Sequence, residues 1–127
     1  MIFLPRTEQH AFNEQIWNLA REVPEGKVAT YGQLAQMLSP PTGFSSEDYK
    51  AYSPRWAGDA MAACPDDVPW HRIINSQGKI SLRLDAQRQQ RLLEDEGLEF
   101  VNDKIDLKRH QWGNTDQTEA PKQETLF

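Results

Sequence analysis

The side chains that could carry covalent or metal chemistry are few and scattered. The chain of 127 residues has a single cysteine, Cys64, and three histidines, His10, His71 and His110. One cysteine excludes a disulfide within the chain and a cysteine-based zinc site, and the histidines lack the spacing of metal ligands. Cys64 follows a run of small residues and precedes Pro65, where a cysteine is more often a packing residue than a reactive thiol. The sequence therefore predicts no metal and no cofactor.

Charge is distributed unevenly along the chain. The formal net charge is −5 and the isoelectric point is about 5.1, an average that argues against a nucleic-acid partner. Residues 50–91 nevertheless hold seven basic and four acidic side chains, whereas residues 1–49 and 92–112 each have a net charge of −3. A basic face on an acidic body is therefore compatible with DNA binding.

The remaining composition predicts one cytoplasmic domain. No apolar run approaches the ~18 residues of a membrane helix. The first seven residues lack the basic region and cleavage site of a signal peptide. We expect a single domain over residues 1–112. Residues 113–127 are polar almost throughout and predict a disordered C-terminal tail.

Two helices are predicted in the N-terminal third. Thr7 is the expected N-cap of the first, whose apolar residues recur at helical spacing and whose end is set by Pro24. Thr30 and Gln33 have the spacing of a capping box for a short second helix.

The segment that follows predicts a loop and then a helix of small residues. Residues 41–53 are polar and aperiodic, so we expect a loop. Ser53 as N-cap and Pro54 at the first helical position predict a third helix from Arg55 to about Cys64. Because few side chains protrude from it, such a helix can approach a partner closely.

Residues 68–81 predict two short extended pieces around a turn at Asn75–Gly78. Asp85 is the expected cap of a helix to Glu96, and Gly97 stands where a left-handed C-cap belongs.

Residues 98–107 alternate around Asn102 and Asp103 as in a β-hairpin. Taken together, the elements predict a mainly α fold with short β elements, arranged as a winged helix-turn-helix DNA-binding domain.

One motif identifies a family. Pro69-Trp70-His71-Arg72 resembles the Pro-Cys-His-Arg signature of the alkylguanine-DNA alkyltransferases, and matches the Pro-Trp-His-Arg signature of their alkyltransferase-like branch. The resemblance runs from about Phe12 to about Trp112 and includes Gly26-Lys27-Val28 and Thr30-Tyr31-Gly32. It implies the fold of the alkyltransferase C-terminal domain.

The resemblance also implies that the chemistry of the active family is lost. In that family a histidine and a distant glutamate activate the cysteine through water, and the matching residues here are His71 and Glu96. Trp70 replaces the nucleophile, and an indole is no substitute for a thiolate. Arg72 is expected to brace this vestigial site. The Trp70 ring can still pack against a flipped base.

Three more residues match DNA-handling positions of the family. Arg55 matches an intercalating arginine, and Tyr31 matches a tyrosine that presses on the target phosphate. Arg83 matches an arginine of the like-protein branch that covers the flipped guanine by cation–π contact. Each alone is better explained by a surface or core role, but together and in order, within the basic segment, they favour DNA binding.

The chain departs from the family pattern in two places. Residues 41–53 look like an insertion of about ten residues relative to a turn-length connection, and the stretch between Arg55 and Trp70 looks about two residues short. Tyr49, Lys50 and Tyr52 of the insertion are expected to belong to a solvated loop or to add contacts to DNA.

The resulting interpretation is a non-enzymatic DNA-damage sensor. It would bind O6-alkylguanine in duplex DNA from the minor groove, flip the base, and pass the lesion to nucleotide excision repair proteins in the cytoplasm, at the nucleoid. Two alternatives remain open: an active alkyltransferase that uses Cys64, and a sequence-specific helix-turn-helix regulator. The accepted alkyl groups and the oligomeric state do not follow from the sequence.

The end of the tail carries a separate motif. Gln123, Leu126 and Phe127 resemble the short peptides by which bacterial repair proteins dock on the replicative sliding clamp. The alternative is a C-terminus that packs on its own domain.

Overall fold

The fold is mainly helical, with two strands of two residues each. The computed structural model describes residues 6–41, 43–80 and 86–113. Within these ranges the helices are α1 (Arg6–Arg21), α2 (Tyr31–Gln36), α3 (Ser46–Ala62), α4 (Ala86–Asp95) and α5 (Leu107–His110), and the strands are β1 (Ala29–Thr30) and β2 (Ile73–Ile74). Within the same ranges, no helix has both the length and the apolar character needed to cross a bilayer.

Helix α1 buries one stripe against the rest of the domain. Phe12, Ile16 and Ala20 recur every four residues and are all buried. The Trp17 indole N–H donates to the Ala60 carbonyl at 2.8 Å, which attaches α1 to the end of α3. The helix already includes Thr7, so the prediction that Thr7 is its N-cap is wrong.

Helix α2 begins with the predicted capping box. The Thr30 hydroxyl accepts from the Gln33 backbone N–H at 3.0 Å, and the Thr30 backbone N–H donates to Gln33 Oε1 at 3.3 Å. Gln33 also donates to the Trp112 carbonyl at 2.7 Å. The short helix is therefore fixed both at its start and to the C-terminal part of the described chain.

The strands form a small parallel sheet at the centre of the domain. β1 pairs with β2 in the register Ala29↔Ile73 and Thr30↔Ile74, and all four residues are buried. Of the two extended pieces predicted over residues 68–81, only β2 is a strand in the described part. The Trp70–Arg72 segment before it is a turn of 3₁₀ helix.

The predicted turn after β2 is present. The Asn75 backbone N–H donates to the Lys79 carbonyl at 3.0 Å. Gly78 has φ +80°, and a Cβ built on it would lie 2.5 Å from the Ile105 carbonyl oxygen. Only glycine permits this close approach between the turn and the C-terminal segment.

Helix α3 differs most from the prediction. Residues 46–53 are not a loop but the first half of α3, which begins at the N-cap Ser45 and contains Pro54 in its interior. The Tyr49 hydroxyl donates to the Ala35 carbonyl at 2.6 Å, and Ser53 is fully buried. Packing of this segment against α2 outweighs the cost of an interior proline.

An aromatic cluster holds α3 in place. The Trp56 ring meets Phe12 of α1 at a centroid distance of 6.0 Å, Phe44 at 5.2 Å and Tyr49 at 6.0 Å, each edge to face. Trp56 is 4% exposed and lies in the larger of the two hydrophobic clusters.

The C-terminal elements follow the prediction in part. α4 ends at Asp95, and Gly97 has φ +95°, as a left-handed C-cap requires. The predicted hairpin is reduced to one antiparallel bridge, Val101↔Lys104, around a two-residue turn, and Leu107 starts α5 instead of a strand. Asp85, the expected cap of α4, lies outside the described residues.

Candidate nucleic-acid interface

The start of α2 lies against the middle of α3. A Cβ built on Gly32 would lie 3.7 Å from Pro54 Cγ, an ordinary van der Waals separation. The chain neighbours of these two residues are Tyr31, which is half-buried, and Arg55, which is exposed. The structure therefore places the two predicted DNA-handling residues on adjacent elements.

The exposed side of α3 around Arg55 is lined by small residues. Ala51 and Ala62 are exposed, and a Cβ built on Gly58 would meet nothing within 4 Å. Asp59, one turn after Arg55, is also exposed. A helix surface of this kind suits close approach to a narrow groove, with Arg55 as its longest side chain.

Trp70 borders a cleft of about 290 Å³, called here the Trp70 cleft. It is lined by Met61, Ala62, Cys64, Pro65, Asp66, Trp70 and Arg88. The end of α3, the turn after it, the 3₁₀ turn and α4 all contribute, so the cleft forms only when the chain folds. The Trp70 ring also meets the His71 ring edge to face at 6.1 Å.

Arg88 on α4 faces the tryptophan. Its Cζ atom lies 5.7 Å from the centroid of the Trp70 ring, within the range of a cation–π contact. Cation–π contact at this cleft was predicted for Arg83, which lies outside the described residues. Arg88 was not predicted from the sequence, because neither a motif nor a distinctive spacing marks it.

His71 and Arg72 both bind Glu96. His71 Nε2 lies 2.6 Å from Glu96 Oε2, and Arg72 donates to the same carboxylate through Nε at 3.1 Å and Nη2 at 2.9 Å. Arg72 also donates to the Val23 carbonyl at 3.0 Å, and the Gly26 backbone N–H donates to Glu96 Oε1 at 3.0 Å. These contacts agree with the predicted bracing role of Arg72 and tie the 3₁₀ turn, α4 and the loop after α1 together.

The Glu96 carboxylate is held in its charged form. Burial alone would raise the pKa of this carboxyl. Hydrogen bonds from Arg72, the Gly26 N–H and His71 outweigh burial, so the pKa lies below its ordinary value. The Glu96 side chain is 10% exposed, so the ion pair with Arg72 is only weakly screened by solvent.

Gln89 fixes α4 to the 3₁₀ turn from the other end. Its side-chain amide donates to the His71 carbonyl at 3.1 Å and to the Ile73 carbonyl at 3.0 Å, and the residue is 1% exposed. Sequence analysis missed this residue as well. A signal existed, because Gln89 lies four residues before the buried Leu93 on the same face of α4.

Cys64 lies at the Trp70 cleft and is half-buried. The predicted clamp-docking residues Gln123, Leu126 and Phe127 lie outside the described residues.

Comparison with known proteins identifies the family of the chain. A family model described as the DNA-binding domain of 6-O-methylguanine DNA methyltransferase matches residues 11–98. The DNA base-flipping protein of Vibrio parahaemolyticus is 40% identical over 105 residues, which cover 80% of this chain and 95% of that protein. Alkyltransferase-like protein 1 of Schizosaccharomyces pombe is 35% identical over 111 residues, which cover 80% of this chain and 94% of that protein.

A solved structure supports the same assignment. The crystal structure of S. pombe Atl1 in complex with damaged DNA containing O6-carboxymethylguanine matches with a TM-score of 0.66 at 34% identity, covering 81% of this chain and 95% of that chain. The fold and family predicted from Pro69-Trp70-His71-Arg72 are thereby confirmed. The chain belongs to the family of the 6-O-methylguanine DNA methyltransferase DNA-binding domain, in its alkyltransferase-like branch.

Proposed function

We propose that this protein is a non-enzymatic DNA-damage sensor that binds O6-alkylguanine in duplex DNA and holds the flipped base in the Trp70 cleft. The observation that carries the proposal is the cleft itself, in which an indole occupies the position of the family's nucleophilic cysteine. The relatives named for base flipping and the Atl1 complex with damaged DNA support the same function.

The proposed binding mode follows from the placement of the basic and aromatic side chains. Arg55, on the small-residue surface of α3, would enter the minor groove and fill the gap that the extruded nucleotide leaves. Tyr31, at the start of α2, would press on the target phosphate. Affinity that depends on basic residues should fall as the salt concentration rises.

Binding alone repairs nothing, so a further step must follow. We propose that the complex with the lesion is handed to nucleotide excision repair proteins. We propose that the protein acts in the cytoplasm, at the nucleoid.

One specific observation favours a second candidate, an active alkyltransferase that uses Cys64. Cys64 lines the same cleft as Trp70. The contact of Glu96 with His71 Nε2 leaves Nδ1 of the ring as the nitrogen that could act as a base, so this contact does not separate the two candidates. Mass spectrometry after incubation with an O6-methylguanine duplex separates the two candidates: an unchanged protein mass supports the sensor, and a gain of one methyl group supports the enzyme.

The decisive binding experiment is a titration of lesion-containing against unmodified duplex of the same sequence at fixed salt. A sensor binds the lesion duplex more tightly in every sequence context. Equal affinity for both duplexes, or a preference for one sequence regardless of the lesion, would refute the proposal and favour a helix-turn-helix regulator.

We also propose that the C-terminal tail docks on the replicative sliding clamp through Gln123, Leu126 and Phe127. Such a tether would raise the local concentration of the sensor near DNA. Fluorescence anisotropy of a peptide covering residues 118–127 against purified clamp tests it. Binding that is lost when Leu126 and Phe127 become alanine supports docking, and no binding at high clamp concentration rejects it.

A further inference from the structure

Two opposite charges border the Trp70 cleft. Among the described residues that line it, Asp66 and Arg88 are the two with a charged side chain, and both are exposed. The other described lining residues, Met61, Ala62, Cys64, Pro65 and Trp70, have no charged side chain.

Arg88 is held at the cleft by the anchoring of its helix. Immediately after it, Gln89 binds the carbonyls of His71 and Ile73 on the 3₁₀ turn and β2. The Glu96 carboxylate, just beyond the other end of α4, binds His71 and Arg72. Because these contacts attach α4 to the 3₁₀ turn, they place Arg88 beside the cleft, where its Cζ atom lies 5.7 Å from the centroid of the Trp70 ring.

Asp66 is held by the turn that follows α3. The Val68 backbone N–H donates to the Pro65 carbonyl at 3.1 Å and closes this turn. The next residue, Asp67, accepts from Arg21 Nε at 2.8 Å and Nη2 at 3.1 Å, which attaches the turn to the end of α1. The carboxylate of Asp67 is therefore engaged by Arg21, and Asp66 is the residue of this pair that lines the cleft.

The size of the cleft brings any base substituent close to these charges. At about 290 Å³ it lies at the lower limit of ligand pockets, about 300 Å³. A flipped guanine would occupy much of this space. The group attached to its O6 atom then meets the lining side chains directly.

We propose that Arg88 and Asp66 select O6 adducts by their charge. This inference rests on the proposed function. Arg88 favours adducts that end in a carboxylate, because a guanidinium and a carboxylate form hydrogen bonds about twice as strong as neutral ones. Asp66 opposes the same adducts by like-charge repulsion. The affinity for an adduct that ends in a methyl group should depend little on either charge.

The test measures the binding of the full chain to three duplexes of one sequence, containing guanine, O6-methylguanine or O6-carboxymethylguanine. The variants are Arg88→Gln and Asp66→Asn, which remove the charges at nearly constant size. Arg91→Gln is the matched control, because Arg91 is an exposed arginine on the same helix and does not line the cleft. All four proteins are compared at one salt concentration.

We expect Arg88→Gln to lower the affinity ratio of carboxymethyl to methyl adduct about tenfold, the scale of one hydrogen bond to a charged group. Asp66→Asn should raise the same ratio, and Arg91→Gln should leave it unchanged. The inference is wrong if the affinity ratio is the same in all variants. It is also wrong if Arg88→Gln lowers the affinity for all three duplexes by the same factor. In both cases the proposed function is retained as long as the wild type still prefers lesion duplexes to the unmodified duplex. Equal affinity of the wild type for lesion and unmodified duplexes would instead refute the proposed function.

Discussion

His71 Nε2 and Glu96 Oε2 lie 2.6 Å apart, in direct contact. The same carboxylate accepts from Arg72 and from the Gly26 backbone N–H. In the active alkyltransferases the equivalent pair serves a nucleophile. In this protein the pair and Arg72 together connect three segments of the chain, so His71, Arg72 and Glu96 have a structural role.

Replacement of Glu96 by glutamine should destabilise the fold. The substitution leaves the partly buried guanidinium of Arg72 without its counter-charge, which costs about 2–3 kcal/mol of the free energy of unfolding. Urea denaturation monitored by circular dichroism measures it. The control is Asp95→Asn, because Asp95 is an exposed carboxylate at the end of α4. This variant should change the free energy of unfolding by less than about 0.5 kcal/mol. Equal midpoints for both variants would contradict the structural role of Glu96.

The same carboxylate predicts how stability depends on pH. Because the pKa of Glu96 is lowered in the folded protein, the unfolded chain binds a proton at this site more readily than the folded protein does. The stabilisation is complete above the unfolded value near 4.5 and is lost as the pH falls through the lower folded value. Denaturation midpoints should therefore fall below this pH in the wild type and fall less in Glu96→Gln. Parallel curves for the two proteins would show that other carboxylates are responsible.

Replacement of Tyr49 by phenylalanine tests whether the first half of α3 belongs to the core. The Tyr49 hydroxyl is buried and donates to the Ala35 carbonyl, and burial raises the pKa of this phenol. Its removal should cost about 1 kcal/mol of unfolding free energy. The control is Tyr52→Phe, because Tyr52 is a half-buried tyrosine on the same helix. This variant should hardly change the free energy of unfolding. A flexible insertion would show no difference between the two variants.

The start of α3 shows why sequence analysis succeeded at some elements and failed at others. The capping box of Thr30 and Gln33 and the left-handed Gly97 are local signals, and both were predicted. Ser53-Pro54 carries an equally local signal for a helix start, but the helix begins at Ser45, whose hydroxyl accepts from the Asp48 N–H at 3.0 Å. Tertiary contacts decide between the two starts.

Those contacts were visible in the sequence only as periodicity. Tyr49, Ser53, Trp56 and Ala60 are all buried and recur at helical spacing across Pro54. Because Pro54 cannot donate a helical hydrogen bond, the sequence favoured a helix start at this residue over one helix that continues through it. At the candidate site, His71 and Arg72 belong to the motif and Glu96 follows from the family resemblance, whereas Arg88 is brought to the cleft by the packing of α4.

Replacement of Arg55 by alanine should weaken lesion binding without loss of stability. Arg55 is exposed on the small-residue surface of α3, so the fold does not depend on it. A lost intercalating contact costs about 1–3 kcal/mol of binding free energy. A titration with lesion duplex measures the loss, with Arg91→Ala as the control for removal of one positive charge. If both variants bind equally well, Arg55 is not part of the interface.

Replacement of Trp70 by cysteine restores the signature of the active family next to His71 and Glu96, yet we expect little or no alkyl transfer. Activation of a thiol requires the base and its partner to be placed within a fraction of an ångström. Here the Glu96 carboxylate that binds His71 Nε2 is also held by Arg72 and the Gly26 backbone N–H, which lower its pKa and so weaken its support of the imidazole as a base. Intact-protein mass spectrometry after incubation with an O6-methylguanine duplex measures transfer, with Trp70→Ala as the control that lacks a thiol at this position. A stoichiometric gain of one methyl group by Trp70→Cys alone would show that the activating geometry has been preserved.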